Sequence, residues 1–307
     1  MLDASYFISR LVNDAITTDS SAEDSRVLPR RRVLAGLGVT LALVGGGGAY
    51  IAWSIRGDHA DYTAPDSYPV VTTRDRLDDH APLTAERGGE WNFEDADELF
   101  LFVHGLNTTA EGARDQAYTT EVGFEGVRPT PVVGYSWDSD TDWSSAKRNA
   151  TANGEPLADW LTEWAETDGR PIHLLGYSLG ARVSCEALRV LDENGRSDVP
   201  ASVSLLGGAI PDDSVHRESR YGGAIEATEA PVYNFHSRND RVLGWIYRAA
   251  DRTRAVGYGG IRDEDLAPPG YRDVNVTDLV ADHYSYFHPE EGCLPRVADR
   301  LEEASVS

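Results

Sequence analysis

Near the middle of the chain, Gly176-Tyr177-Ser178-Leu179-Gly180 follows directly on the short apolar run Ile172 to Leu175. A serine hydroxyl is a weak nucleophile alone. It needs a base to take its proton, an acid to orient that base, and amide donors for the oxyanion that forms when it attacks an acyl carbon. Asp240 follows the run Val232 to Phe235, and His283 follows the run Arg272 to Val276, so the three residue types occur in the chain order Ser, Asp, His. An aspartate in a turn before a helix is most often an N-cap, which leaves Asp240 two readings, cap or orienting acid. His288, just before Pro289, is the second candidate base. After the run Leu99 to Val103 comes His104-Gly105-Leu106-Asn107-Thr108. Its glycine lets the backbone turn the amide of Leu106 or Asn107 toward the serine, to pair with the amide of Leu179 as an oxyanion hole. His104 itself, at a strand end, reads as a residue that hydrogen-bonds this loop.

These side chains converge only if the elements carrying them do. Ile172 to Leu175 predicts a strand, and Val183, Ala187, Leu188 and Leu191 share one face of a helix predicted from Ser178 to Leu191. Strand, sharp turn and helix would lift Ser178 above the sheet. Apolar runs at Leu99 to Val103, Pro131 to Trp137, Ile172 to Leu175, Val203 to Leu206, Val232 to Phe235 and Arg272 to Val276 alternate with helical spacing. The helical stretches are Thr108 to Tyr118, Leu157 to Ala165, Ser178 to Leu191 and Arg241 to Arg252. Repeated strand and helix predicts an α/β fold with a mostly parallel, doubly wound sheet and the chemistry at the carboxyl ends of the strands. The short interval between Leu206 and Val232 leaves room for a minimal cap only. The order Ser, Asp, His is the one used by α/β-hydrolases.

The chain carries 51 Asp and Glu against 28 Lys and Arg, a formal charge of -23, and Lys147 is its single lysine. Such a balance repels nucleic acid and anionic headgroups from the globular part, and it suits a high-salt setting in which self-repulsion is screened. Two cysteines, Cys185 and Cys293, do not make a disulfide framework. Asp138-Ser139-Asp140-Thr141-Asp142 lacks the turn glycine of a calcium loop and reads as a solvated acidic loop. No metal and no cofactor is expected. Of the other histidines, His59 and His80 fall in a linker, His173 lies within a strand against a helix, His216 sits in an exposed loop and His236 stands beside the site.

Residues 1–32 form a polar segment that ends in Arg30-Arg31-Arg32. An uncharged run over residues 33–55 is long enough to span a bilayer as an anchor, and the arginines before it also resemble a twin-arginine export signal. Either way the domain that follows is expected outside the cell membrane. Residues 56–89 read as a solvated linker in which Tyr68 to Thr72 is a candidate edge strand, and residues 90–307 as the catalytic domain.

Four segments extend the match beyond fold class. These are Gly176 to Val183, Leu205-Leu206-Gly207-Gly208-Ala209, Asn239-Asp240-Arg241-Val242-Leu243-Gly244-Trp245-Ile246-Tyr247-Arg248, and Asn275 to Val280 with His283. Together they resemble the transmembrane and coiled-coil family of lipase-like α/β-hydrolases. The resemblance implies Ser178 as nucleophile, Asp240 as acid and His283 as base. Upstream, His104 to Thr108 with Ser136-Trp137 is similar to another esterase-like branch of the same fold. The expectation is a membrane-tethered or exported serine hydrolase acting on a lipid or small-molecule ester. An acyltransferase and a catalytically inactive binding module of the same fold are the alternatives.

Overall fold

Alternation inside the apolar runs decides the architecture. Successive side chains of a strand point to opposite faces, so Leu99, Leu101 and Val103 enter one core layer while Phe100 and Phe102 enter the other. Both layers are apolar, which obliges helices to cover both faces of the sheet. The computed structural model describes residues 60–75 and 84–306. The polar segment 1–32, the apolar segment 33–55, the arginine motif, His59 and His80 lie outside them. Among the described residues no helix is long and apolar enough to cross a membrane.

Eight strands form one sheet in the order β2-β1-β4-β3-β5-β6-β7-β8. They are β1 (Val70–Thr72), β2 (Glu86–Gly88), β3 (Leu99–Val103), β4 (Val132–Ser136), β5 (Ile172–Tyr177), β6 (Ser202–Leu206), β7 (Val232–His236) and β8 (Tyr271–Asn275). Among the described strands only β2 runs antiparallel to its neighbour. One face is covered by α1 (Ala110–Phe124) and by the C-terminal helix Leu294–Val306. The other carries α2 (Trp143–Ala152), α3 (Gly154–Thr167), α4 (Gly180–Glu193) and the short α5 (Gly222–Ala227). This order, with the serine on the turn between β5 and α4, is an α/β-hydrolase-like fold. On the α1 face Phe100 stacks on Phe124 at 4.4 Å, and burying a ring of this size stabilises the fold by about 2 kcal/mol.

Two readings of the sequence are corrected. Residues 56–89 are not simply a solvated linker: the candidate edge strand within Tyr68 to Thr72 forms as β1 and pairs with β4 through Val70 and Gly134, and β2 closes that edge of the sheet. The three residues of β2 carry too short a pattern to stand out from loop composition. The acidic stretch after β4 is a loop with Asp140, Thr141 and Asp142 exposed, and it ends where the Asp142 carboxylate accepts from the amides of Ser144 and Ser145 and caps α2. The stretch Arg241 to Arg252 is a wide π-helical segment, Val242–Tyr247, followed by a short turn of α-helix, Arg248–Asp251, and not one regular helix.

His173 meets no helix as its principal partner. Its Nδ1 lies 2.7 Å from the Ser202 hydroxyl on β6 and its Nε2 3.1 Å from Glu98, which Arg128 also grips at 2.7 and 2.8 Å. The His173 hydrogen bond and the Arg128 cation hold the Glu98 carboxyl down at about 2.

Candidate active site

The turn after β5 is forced by close approach. Ser178 has φ of +52°, a left-handed conformation that a non-glycine residue adopts only under constraint. Its amide donates to Leu206 and its carbonyl accepts from Ala181 and Ala209, which pins the strained turn. A side chain at Gly180 would collide with the Val103 carbonyl, so the helix can start this near the sheet only with glycine there.

Ser178, His283 and Asp240 form one hydrogen-bonded chain. The Ser178 hydroxyl lies 2.9 Å from His283 Nε2, and His283 Nδ1 lies 2.7 Å from Asp240 Oδ2. A carboxylate can only accept, so Nδ1 carries the ring proton and Nε2 accepts from the serine. The other oxygen of Asp240 accepts from the Leu243 amide at 2.9 Å, so the carboxylate serves as cap and as imidazole partner together. Asp240 is fully buried and His283 is 4% exposed, so the pair meets solvent only where the imidazole borders the cleft. The His283 loop is shaped by Asp282, whose carboxylate accepts from the Tyr284 amide and the Ser285 hydroxyl. Burial first, and then the Asp240 and Asp282 charges, push the Tyr284 phenol up to about 12, and it stays neutral in ordinary conditions.

The loop after β3 stands opposite. Gly105 is the residue that fits there: a Cβ would come within 2.8 Å of Ser178 Cβ and 3.3 Å of its hydroxyl. Asn107, at φ +56°, commits its amide to the Ser139 carbonyl at 2.9 Å. The amide of Leu106 and that of Leu179 have no partner among the described residues. Arg74 braces the loop from β1, donating to the Thr108 carbonyl at 2.5 Å and to the Ser136 hydroxyl at 2.6 Å. His104 donates from Nδ1 to the Gly105 carbonyl at 2.9 Å, accepts at Nε2 from the Trp137 amide at 3.1 Å, and stacks on the Trp137 ring. Burial, and after it the Arg74 cation, lower its pKa to about 3. It is a neutral strut of the loop and does not touch the serine.

The remaining expectations divide. His288 pairs through Nδ1 with Asp61 and is not among the residues that line the cleft at Ser178. His236 makes no hydrogen bond to the three residues, though its carbonyl accepts from the Val276 amide where the His283 loop begins. His216 is half-buried. A cleft of about 250 Å³ opens above Ser178 and His283, walled by Trp143, Leu243, Tyr247 and Tyr284, with Gln116 at its α1 side. Sequence reasoning did not assign Arg74 or Gln116 to the site, and no spacing signal marks them. Tyr135, Trp137 and Trp143 read from the sequence as walls of an acyl pocket or as core; Trp143 lines the cleft, and Tyr135 and Trp137 are fully buried.

Comparison with known proteins adds a family. Residues 124–298, more than half of the chain, match the family model described as "Protein of unknown function (DUF726)". The Schizosaccharomyces pombe protein "Uncharacterized membrane protein C6F6.13c" is 31% identical over 173 residues, covering 55% of this chain and 21% of that one. The Oryza sativa subsp. japonica "Transmembrane and coiled-coil domain-containing protein STS1" is 34% identical over 148 residues, 48% of this chain and 21% of that one. The Saccharomyces cerevisiae "Probable lipase MIL1" is 26% identical over 168 residues, 55% of this chain and 15% of that one. The chain thus matches about a fifth of the length of the first two of these relatives. Among solved structures, the mature form of Bacillus licheniformis lipase BlEst2 aligns with a TM-score of 0.43 at 16% identity, covering 68% of this chain and 93% of that one.

Proposed function

The chain belongs to the DUF726 family of proteins of unknown function, and from that premise we propose that it is a serine hydrolase that cleaves a carboxylic ester through an acyl-enzyme. The observation that carries the reading is the continuous chain from the Ser178 hydroxyl through His283 to Asp240, at 2.9 and 2.7 Å. His283 Nε2 takes the proton as Ser178 Oγ attacks the ester carbonyl carbon, and Asp240 stabilises the imidazolium that results. The amides of Leu106 and Leu179 receive the oxyanion, a contribution of about 3 to 4 kcal/mol for each such donor. His283 then gives its proton to the departing alcohol, and water attacks the acyl-serine by the same route in reverse.

The apolar wall of Trp143, Leu243 and Tyr247 supports an acyl chain as the group held in the cleft. Attachment to the cell membrane through residues 33–55, with the catalytic domain outside, is part of the same proposal; the membrane proteins among the relatives support the attachment, and the arginines before residue 33 the orientation. The test is hydrolysis of p-nitrophenyl esters of graded chain length. Turnover that is lost in Ser178→Ala supports the reading. No turnover of any ester by folded protein, or equal turnover by the variant, removes it.

A further inference from the structure

Trp245 is 75% exposed, the most exposed large apolar side chain among the described residues. It sits on the π-helical segment Val242–Tyr247, between Leu243 and Tyr247, which both line the cleft. An indole held in water adds little to the fold, and it is the side chain that partitions to the boundary between lipid headgroups and hydrocarbon. Leu279, 39% exposed, lies on the adjoining loop, whose Thr277 carbonyl accepts from the Asn239 side chain at 2.8 Å.

Three arginines flank this tryptophan along the same segment. Arg241, Arg248 and Arg252 are exposed, and among the described residues none of the three is in an ion pair. Many other arginines of this acidic surface are neutralised, as Arg128 is by Glu98, Arg196 by Glu166, Arg217 by Glu226 and Arg300 by Glu303, whereas the exposed Arg148, Arg238 and Arg272 are, like these three, in no ion pair among the described residues. The acids of the segment itself are spent: Asp240 is fully buried, and Asp251 is held by Lys147 at 2.6 Å and by the Trp143 indole at 2.8 Å. Asp140 on the cleft wall and the exposed Asp278 near Leu279 oppose the cluster.

We propose that the face formed by Trp245, Arg241, Arg248 and Arg252 docks on an anionic lipid surface and sets the mouth of the cleft against it. The net charge of -23 does not forbid this. At physiological salt, charges farther than about 8 Å are largely screened, so a bilayer senses the local cluster. The repulsion of anionic headgroups expected from composition therefore fails at this one face. Docking rests on the ester-hydrolase reading for its use, which would be to take acyl substrates from the layer, but not for the binding itself.

The test uses the full chain reconstituted in vesicles, with an environment-sensitive dye on the exposed Ala249→Cys. Cys185 and Cys293 are fully buried and stay unlabelled. Quenching of the dye by doxyl-labelled lipid is expected to be at least about threefold greater in vesicles containing phosphatidylglycerol than in phosphatidylcholine alone. The excess is expected to vanish in Arg241→Gln/Arg248→Gln/Arg252→Gln and, with the arginines intact, on raising the salt. Equal quenching in the two lipids, or an excess that survives both treatments, overturns the proposal. The reading needs no turnover, so docking without ester hydrolysis removes the hydrolase assignment alone, and hydrolysis of soluble esters without docking removes this face alone.

Discussion

The hydroxyl of Tyr177 donates a 3.0 Å hydrogen bond to the carbonyl of His283, and the two rings lie 5.3 Å apart. The strand end that presents the serine therefore also fixes the loop that presents the imidazole. Tyr177→Phe keeps the ring and removes the bond. It is expected to cost about 1 kcal/mol in denaturant unfolding and to lower kcat with KM little changed, because the histidine loses part of its orientation. Ester kinetics equal to the parent's would mean that Asp282 and Asp240 position the loop without this bond.

Asp240 holds His283 with one oxygen and the Leu243 amide with the other. Asp240→Asn retains an acceptor for the amide but alters the bond to Nδ1. The expected result is a loss of kcat of about ten-thousandfold, with an unfolding midpoint close to the parent's. A folded variant with near-parental kcat would show the cap, which asparagine keeps, to be the main role of this residue.

Gly105 stands against the serine with no room for a methyl group. Gly105→Ala is expected to push the Leu106 amide away from the reacting centre and to lower kcat by about 100- to 1,000-fold. Steady-state kinetics with a short-chain ester check this, and unchanged kcat would exclude the loop as the oxyanion site.

His104 gives the pH dependence of stability a sign. Its folded pKa is about 3 and the imidazole reference is 6.5, so between those values the unfolded chain binds a proton that the native chain does not. Stability therefore falls as pH drops below 6.5, by at most about 1.4 kcal/mol per pH unit from this group. Glu98, whose pKa is lowered from 4.5 to about 2, adds its own loss only below that upper value. Urea unfolding between pH 7 and 5 reads His104 together with His236, whose pKa burial also lowers, and His104→Gln is expected to reduce the slope there. An unchanged slope would assign the acid sensitivity to other groups.

Much of the sheet was legible because β3 to β7 are buried on both sides and read as largely apolar runs, while β8 buries Tyr271 and Val274 and exposes Arg272 and Asn275. Ser178, Asp240 and His283 were marked by their positions just after such runs, and the geometry brings them into contact. Less was legible where the determinant is tertiary. Thr73, just after β1, is buried and held by a 2.6 Å bond to Asn153, a partner far along the chain that nothing local announces. Gln116 reaches the cleft from a helix face that also holds Ala113 and Ala117, so its spacing reads as core. Trp245 looked like one more helical apolar residue until the wide turn turned it outward.

The central claim is that the Ser178 hydroxyl is activated by His283. The most direct measurement is mass spectrometry of the protein after brief exposure to a fluorophosphonate. The account predicts one adduct, on the peptide containing Ser178, formed at a rate that falls at least about 1,000-fold in His283→Ala. Folded protein that takes up no adduct, or that labels at the same rate without His283, would contradict it.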